Sequence, residues 1–218
     1  SMFGHTFLRV DGKEQTPQTR ILAYTINYAA QLPADAGVEY AIKGIFGAYP
    51  GYFSTIPYYL KVQEYRDIDN RDIWEYRLNL TAPQVRRLLM HTWELGNAYF
   101  DYFFFGENCA YHILSLLEAA EPSVHLLDRF PVYTIPIDTV RLVRESGLVG
   151  EVVSRPSRST LVRRKRASMS AAERVWFDRL IRNPADLQSE GFRTLQQDRQ
   201  AFVLETASDY LLQHSAVG

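Results

Sequence analysis

The sequence predicts an α+β fold, and three observations carry that prediction. Strand-like stretches fill much of the first 80 residues. The clearest is 73–80, where Trp74, Tyr76, Leu78 and Leu80 alternate with Glu75, Arg77 and Asn79. Helical patterns follow: Thr81 to Gln84 reads as a capping box with Pro83 inside the first turn, opening a helix to about Gly96 whose buried stripe is Val85, Leu88, Leu89 and Trp93. Finally, 218 residues at 46% hydrophobic suffice for one core of ordinary size, or a core plus a smaller appendage.

Taken in order, 5–10 and 20–28 read as strands joined through the turn residues Asp11 to Glu14, a β-hairpin. A short helix is expected over 36–43. Gly44 to Phe53, rich in glycine and aromatics, reads as a loop, either packed by its own aromatics or serving as a lid over an apolar cleft. Strands are expected over 58–65 and 73–80, with Asp67 to Arg71 as the turn. After the helix to Gly96 comes the aromatic run Tyr99 to Phe105, broken by Gly106-Glu107-Asn108. A second helix runs from about Cys109 to Ala119, with Ile113, Leu116 and Leu117 apolar. Residues 138–145 suggest a short helix, and Arg155 to Thr160 is linker-like. Ser170 to Glu173 is a second capping box, its helix ended by Asn183-Pro184, and a last helix covers roughly 193–213. The expected division is a domain over 1–150, then a linker and helical C-terminal extension over 151–218 that packs on it.

Charge excludes some partners. Lys and Arg number 24 against 25 Asp and Glu, a formal net charge of -1, so no global field points to nucleic acid. The single cysteine excludes an internal disulfide framework and a multi-cysteine metal site. His91, His125 and His214 show no ligand spacing, and neither a metal nor a cofactor is expected. Arg163 to Arg166 reads as a solvated basic patch, with contact to anionic lipid headgroups as the alternative. No apolar run approaches the ~20 residues that span a bilayer. No signal peptide is visible. The chain opens at Ser1-Met2-Phe3-Gly4-His5 directly into a strand pattern, as a trimmed chain would, so the missing leader carries no information.

The chemistry centres on Cys109. It sits where a helix begins, and the unpaired N–H groups and dipole there favour a thiolate and could donate to an oxyanion. The alternative is a small buried hydrophobe. His5 stands on the first strand behind Gly4, either a base or a structural histidine. A strand histidine and a helix-start cysteine are the parts of a papain-like site. Here the histidine comes first in the chain, which requires a circularly permuted version.

Five stretches carry a family resemblance: 3–9 (FGHTFLR), 26–30 (INYAA), 44–51 (GIFGAYPG), 70–76 (NRDIWEY) and 102–111 (YFFFGENCAY). In order and spacing they resemble the Lnb N-terminal periplasmic domain family of bacterial envelope proteins over about residues 2–120. Gly-His on a strand followed by Asn-Cys opening a helix is similar, more distantly, to permuted NlpC/P60 papain-like proteins, including lecithin:retinol acyltransferase-like enzymes. That resemblance implies a circularly permuted antiparallel sheet packed on helices, with Cys109 as nucleophile and His5 as base. The third, orienting group would come from 20–28. Asn27 is the first choice, with capping of the backbone as its alternative role; Tyr24 is the second, because simple hairpin pairing places it near His5. Asn108 would orient the nucleophile loop or lend an oxyanion N–H, or act as a plain helix N-cap. His112, three residues after Cys109, is an alternative base or a packed histidine.

The expected function is a cysteine-dependent hydrolase or acyltransferase in the periplasm, forming a thioester at Cys109 from an amide or ester of a peptide, cell-wall or lipid-like substrate. Cell-envelope or membrane-surface association is the expected setting. A catalytic Cys109 is expected to alkylate well below pH 8. The competing class is a non-catalytic periplasmic binding or scaffold domain, and a second enzyme alternative is a metallohydrolase.

Overall fold

A computed structural model describes residues 4–31 and 43–215. These fall into two compact units, one of residues 4–31, 43–60 and 76–152, the other of 61–75 and 153–215. The fold is α+β. The described strands are β1 (Leu8–Val10), β2 (Tyr24–Ala30), β3 (Tyr49–Pro57), β4 (Ile73–Leu78), β5 (Tyr99–Tyr102) and β6 (Val149–Arg155). Four of them form an antiparallel sheet in the order β1-β2-β3-β5, and β4 pairs with β6 in a separate two-stranded sheet.

In the first unit, α2 (Ala82–Glu94), α3 (Cys109–Ala120) and α4 (Pro136–Glu145) accompany the four-stranded sheet. Ile26, Tyr28 and Phe53 on one sheet face join Ile113, Leu116 and Leu117 of α3, Leu88 of α2 and Val143 of α4 in one core. Each such buried side chain is worth roughly 1.5–3 kcal/mol of transfer free energy. The Gln84 side chain accepts from the Thr81 N–H at 2.7 Å, the capping box read from the sequence. The buried stripe of α2 is displaced from expectation, however. Leu88 is buried, Thr92 and Leu95 lie along the same side, and Trp93 is 86% exposed. Both stripes satisfy helical spacing and share Leu88, so periodicity alone could not choose between them.

Several elements differ from the sequence reading. The first strand is only Leu8–Val10, and β2 starts at Tyr24 because Thr19–Leu22 winds into a 3₁₀ turn held by the Thr16 N–H on Thr19 Oγ1 (2.8 Å). The glycine- and aromatic-rich stretch holds a strand: β3 pairs with β2 from Gly51 to Pro57 and with β5 from Tyr49 to Tyr52. Its glycine has a packing reason, since a Cβ on Gly51 would stand 2.3 Å from the Tyr28 hydroxyl. Residues 58–65 are helical. Here α1 (Tyr58–Gln63) runs into a π-helical turn to Ile68, with Tyr58 and Val62 buried at helical rather than strand spacing. Strand β6 is exposed on both faces and so had no alternation to read. The helix expected over 36–43 lies outside the described residues, save for Lys43.

The second unit contains α5 (Arg158–Ala167), α6 (Ala171–Leu180), the short α7 (Glu190–Arg193) and α8 (Gln197–Ser215) around Val162, Met169, Phe177, Phe192 and Val203. The linker-like stretch is the start of α5, with Ser157 as N-cap. Segment 61–75 is held to it by polar contacts: the Ser157 N–H donates to Asp72 Oδ1 (2.8 Å) and the Ser159 N–H to Asn70 Oδ1 (3.0 Å), Asn70 adopting φ 56°. Part of the 70–76 stretch therefore caps a helix.

Candidate functional site

The site is built on the N-terminus of α3. Gly106 and Glu107 break the chain after β5, and Asn108 then caps the helix. Its Oδ1 accepts from the Ala110 N–H (3.0 Å) and the Tyr111 N–H (3.4 Å). Its Nδ2 donates to Thr134 O (2.7 Å) and Phe104 O (3.2 Å). The amide is buried and fully used, tying three stretches of chain together at the helix start. The Asn108 backbone N–H donates to Gly106 O at 2.8 Å and so is not an oxyanion donor. Asn108 is the N-cap, and it orients the loop carrying Cys109.

Cys109 is the first residue of α3 and is 4% exposed. The Thr6 backbone N–H, the Tyr102 hydroxyl and the N–H groups of Ala110 and Cys109 act on its sulfur in favour of the thiolate. The Cys109 N–H lies 3.4 Å from the Tyr102 oxygen. Two influences oppose each other here. Burial pushes the thiol above the ordinary range; these donors pull it down; burial is the larger, so the net shift is upward. The helix-start argument alone predicts the opposite sign, because it leaves desolvation out.

The contact from Thr6 brings the segment of His5 to Cys109, joining stretches more than a hundred residues apart. The His5 ring is half-buried and lies 6.2 Å from the ring of Phe7. Asn27 is elsewhere. Tyr28 packs on His112 of α3, and strand alternation turns the neighbouring Asn27 to the opposite sheet face. There its Nδ2 donates to Thr25 Oγ1 (2.8 Å), while its Oδ1 meets no donor among the described residues. No hydrogen bond joins that oxygen to His5. The placement of Tyr24 near His5 is corrected by the register, which pairs Tyr24 with Val10 at the far end of β1. The 3₁₀ turn lengthens the connection and shifts the pairing.

His112 sits one turn into α3, 5% exposed, in a box of aromatic rings: Tyr28 at 3.8 Å, Phe100 at 5.2 Å, Tyr111 at 5.6 Å and Phe53 at 6.0 Å. Burial lowers its pKa to about 4, and its Nε2 has no partner among the described residues. A ring so weakly basic is a packed neutral histidine at pH 7. Among the described residues no group of three or more His, Cys, Asp or Glu is arranged to hold a metal ion.

The sequence reading missed Tyr102. It is the tyrosine beside Phe103, Phe104 and Phe105, and its hydroxyl was the available signal: a buried phenol needs a polar partner, and Cys109 supplies it. The aromatic loop itself is packed. A Cβ on Gly44 would meet the Phe104 ring at 2.2 Å and one on Gly47 the Phe103 ring at 2.3 Å, and the Phe104 N–H donates to Gly44 O (2.9 Å). Not all of its apolar groups are covered: Phe46 is 75% exposed and Phe105 48% exposed. The Thr134 N–H donates to Phe105 O (2.7 Å), which sets the exposed Val132, Tyr133 and Ile137 on the adjoining stretch. In the second unit, half of the basic run is neutralised, with Lys165 on Glu205 (2.8 Å) and Asp209 (3.1 Å) and Arg166 on Asp178 (2.9 Å).

Residues 1–146 match the Lnb N-terminal periplasmic domain, two thirds of the chain and the whole of the segment containing His5, Tyr102 and Cys109. The chain belongs to that family. Its domain is periplasmic, which places the chain in the periplasm of the cell envelope, and among the described residues no helix is long and apolar enough to cross a membrane. Neither a curated protein nor a solved structure matches the chain. The family match extends through residues 61–75, which belong spatially to the second unit.

Proposed function

We propose that this Lnb-family domain is a cysteine-dependent hydrolase or acyltransferase with a permuted papain-like arrangement, using Cys109 as nucleophile and His5 as base. One observation carries the reading: Cys109 opens a helix, its N–H lies 3.4 Å from the Tyr102 oxygen, and the Tyr102 hydroxyl and the Thr6 N–H, next to His5, both favour its thiolate. Because burial keeps the resting group a thiol, His5 takes the proton as the sulfur attacks rather than before. The sulfur bonds to the carbonyl carbon of an amide or ester, and the carbonyl electrons move onto oxygen. The Tyr102 O–H is the donor available to that oxyanion. Collapse expels the leaving group, which takes the proton from His5, and a thioester remains. Water, an amine or a hydroxyl then gives its proton to His5 and attacks the thioester, and the released sulfur recovers that proton.

The exposed Phe46, Phe105, Val132, Tyr133 and Ile137 support an apolar or acyl-bearing substrate and association with a membrane surface. A second reading, a non-catalytic binding or scaffold domain, is favoured by the burial of Cys109 and its raised thiol pKa. Activity-based probes with electrophilic acyl groups, read by mass spectrometry, separate the two. The enzyme reading expects an adduct on Cys109 that disappears in Cys109→Ala and slows in His5→Ala. Labelling that requires denaturant would overturn it.

A further inference from the structure

Tyr102 owes its position to a stack of rings. Tyr28 is completely buried and lies nearly parallel to Tyr102, with centroids 5.7 Å apart and planes at 14°. The other rings close around Tyr28: His112 at 3.8 Å and Phe53 at 4.9 Å. At its far end the Tyr28 hydroxyl donates to Phe100 O (3.2 Å) and fills the space left by the missing side chain of Gly51. Tyr28 is thus fixed at ring and hydroxyl alike, while the hydroxyl of the ring it stacks on is engaged with Cys109.

We infer that Tyr28, held between His112 and Gly51, is a positioning residue that sets the Tyr102 hydroxyl against Cys109. This rests on the reading of Cys109 as nucleophile. It explains three features that no role in the chemistry accounts for: a glycine inside a central strand, a buried histidine with an unmet Nε2, and a tyrosine buried completely. Tyr28 does not touch the sulfur. It acts by denying Tyr102 any other packing, since interiors near crystal density leave little room for a ring to swing.

The test is the pH profile of Cys109 alkylation by iodoacetamide in the whole protein, read by mass spectrometry. The titratable group acting on the thiol is Tyr102, and His5 adjoins Thr6 in the chain; Asp101 and Glu107 act on Tyr28. Tyr102→Phe removes a donor from the thiolate and moves the profile upward by about one pH unit, the usual size of a hydrogen bond to a charged group. If Tyr28 positions Tyr102, Tyr28→Leu and Gly51→Ala move the profile in the same direction. They add nothing further in a Tyr102→Phe background, and Tyr28→Phe, which keeps the ring, restores the wild-type profile. Wild-type profiles in folded Tyr28→Leu and Gly51→Ala, or fully additive shifts, would overturn the inference. Should either variant fail to fold, His112→Leu loosens the same ring and is read in the same way. Failure of acyl trapping would remove the nucleophile, while the thiol profiles decide the stack separately.

Discussion

Glu173 in the helical unit and His112 in the sheet unit are both almost wholly buried, and their surroundings treat them in opposite ways. The Glu173 carboxylate accepts from the Ser170 N–H at 2.7 Å and from Arg199 at 2.6 and 3.0 Å, and these bonds hold its pKa down to about 2. His112 is enclosed by aromatic carbon, gives up its charge and leaves Nε2 unmet. Glu173 is a satisfied ion that closes a capping box and ties α6 to α8, which is structural work. In the sheet unit, His112 joins Thr134 and Asn27 in carrying an unmet buried polar atom. Such atoms are expected to be few, and among the described residues the helical unit carries one, Ser189 Oγ, against these three in the unit that holds a buried thiol.

Four experiments bear on that contrast. The largest effect is chemical. Cys109→Ala abolishes the covalent adduct, and His5→Ala lowers its rate by about 10²-fold or more, the usual weight of a general base; an undiminished rate in His5→Ala would assign the base elsewhere. Next comes acid stability. A histidine whose folded pKa is depressed stabilises the fold fully above its unfolded pKa near 6.5, and that stability is lost as pH falls toward 4. The loss over this window is about 3 kcal/mol. Hydrogen exchange across α3 is expected to accelerate there, and His112→Phe to remove the slope.

A helix-cap effect ranks third. Asn108→Ala strips two N–H groups and two carbonyls of their partner, so urea unfolding of the sheet unit is expected to lose about 1–3 kcal/mol. The smallest effect belongs to Glu173, because Arg199 stays partly exposed and the pair is screened. A carboxylate with a depressed folded pKa stabilises above its unfolded pKa near 4.5, and the contribution fades as pH falls toward 2. Exchange across α6 should therefore begin to rise only below pH 4.5, and Glu173→Gln should flatten that response. If both units loosened at one pH, the distinction between them would collapse.

Elements with strong local signals were legible in the sequence. Both capping boxes, the helix opening at Cys109 and strand β4 declare themselves through spacing of three or four residues and clean alternation. Where long-range packing overrode local preference, reading failed. β3 contains Pro50 and Gly51, which argue against a strand, yet Tyr28 requires the glycine there. Residues 58–65 read as a strand because β-branched and aromatic residues crowd that stretch, although Tyr58 and Val62 are buried one helical turn apart. Tyr24 was placed by simple hairpin arithmetic, which a four-residue 3₁₀ turn undoes.

For the site, sequence alone determined that a lone cysteine opens a helix after an asparagine cap, and that a strand lies within 5–10, although the structure starts it at Leu8 and leaves His5 ahead of it. Both follow from short-range rules of capping and strand patterning. Only the tertiary structure decided that Thr6 comes to act on that sulfur, that Tyr102 meets Cys109, and that Asn27 turns to the sheet face opposite Tyr28. It also decided the sign at Cys109. A helix N-terminus is a local feature that favours the thiolate, whereas burial sums over every neighbour the fold brings in, and here the sum is the larger effect.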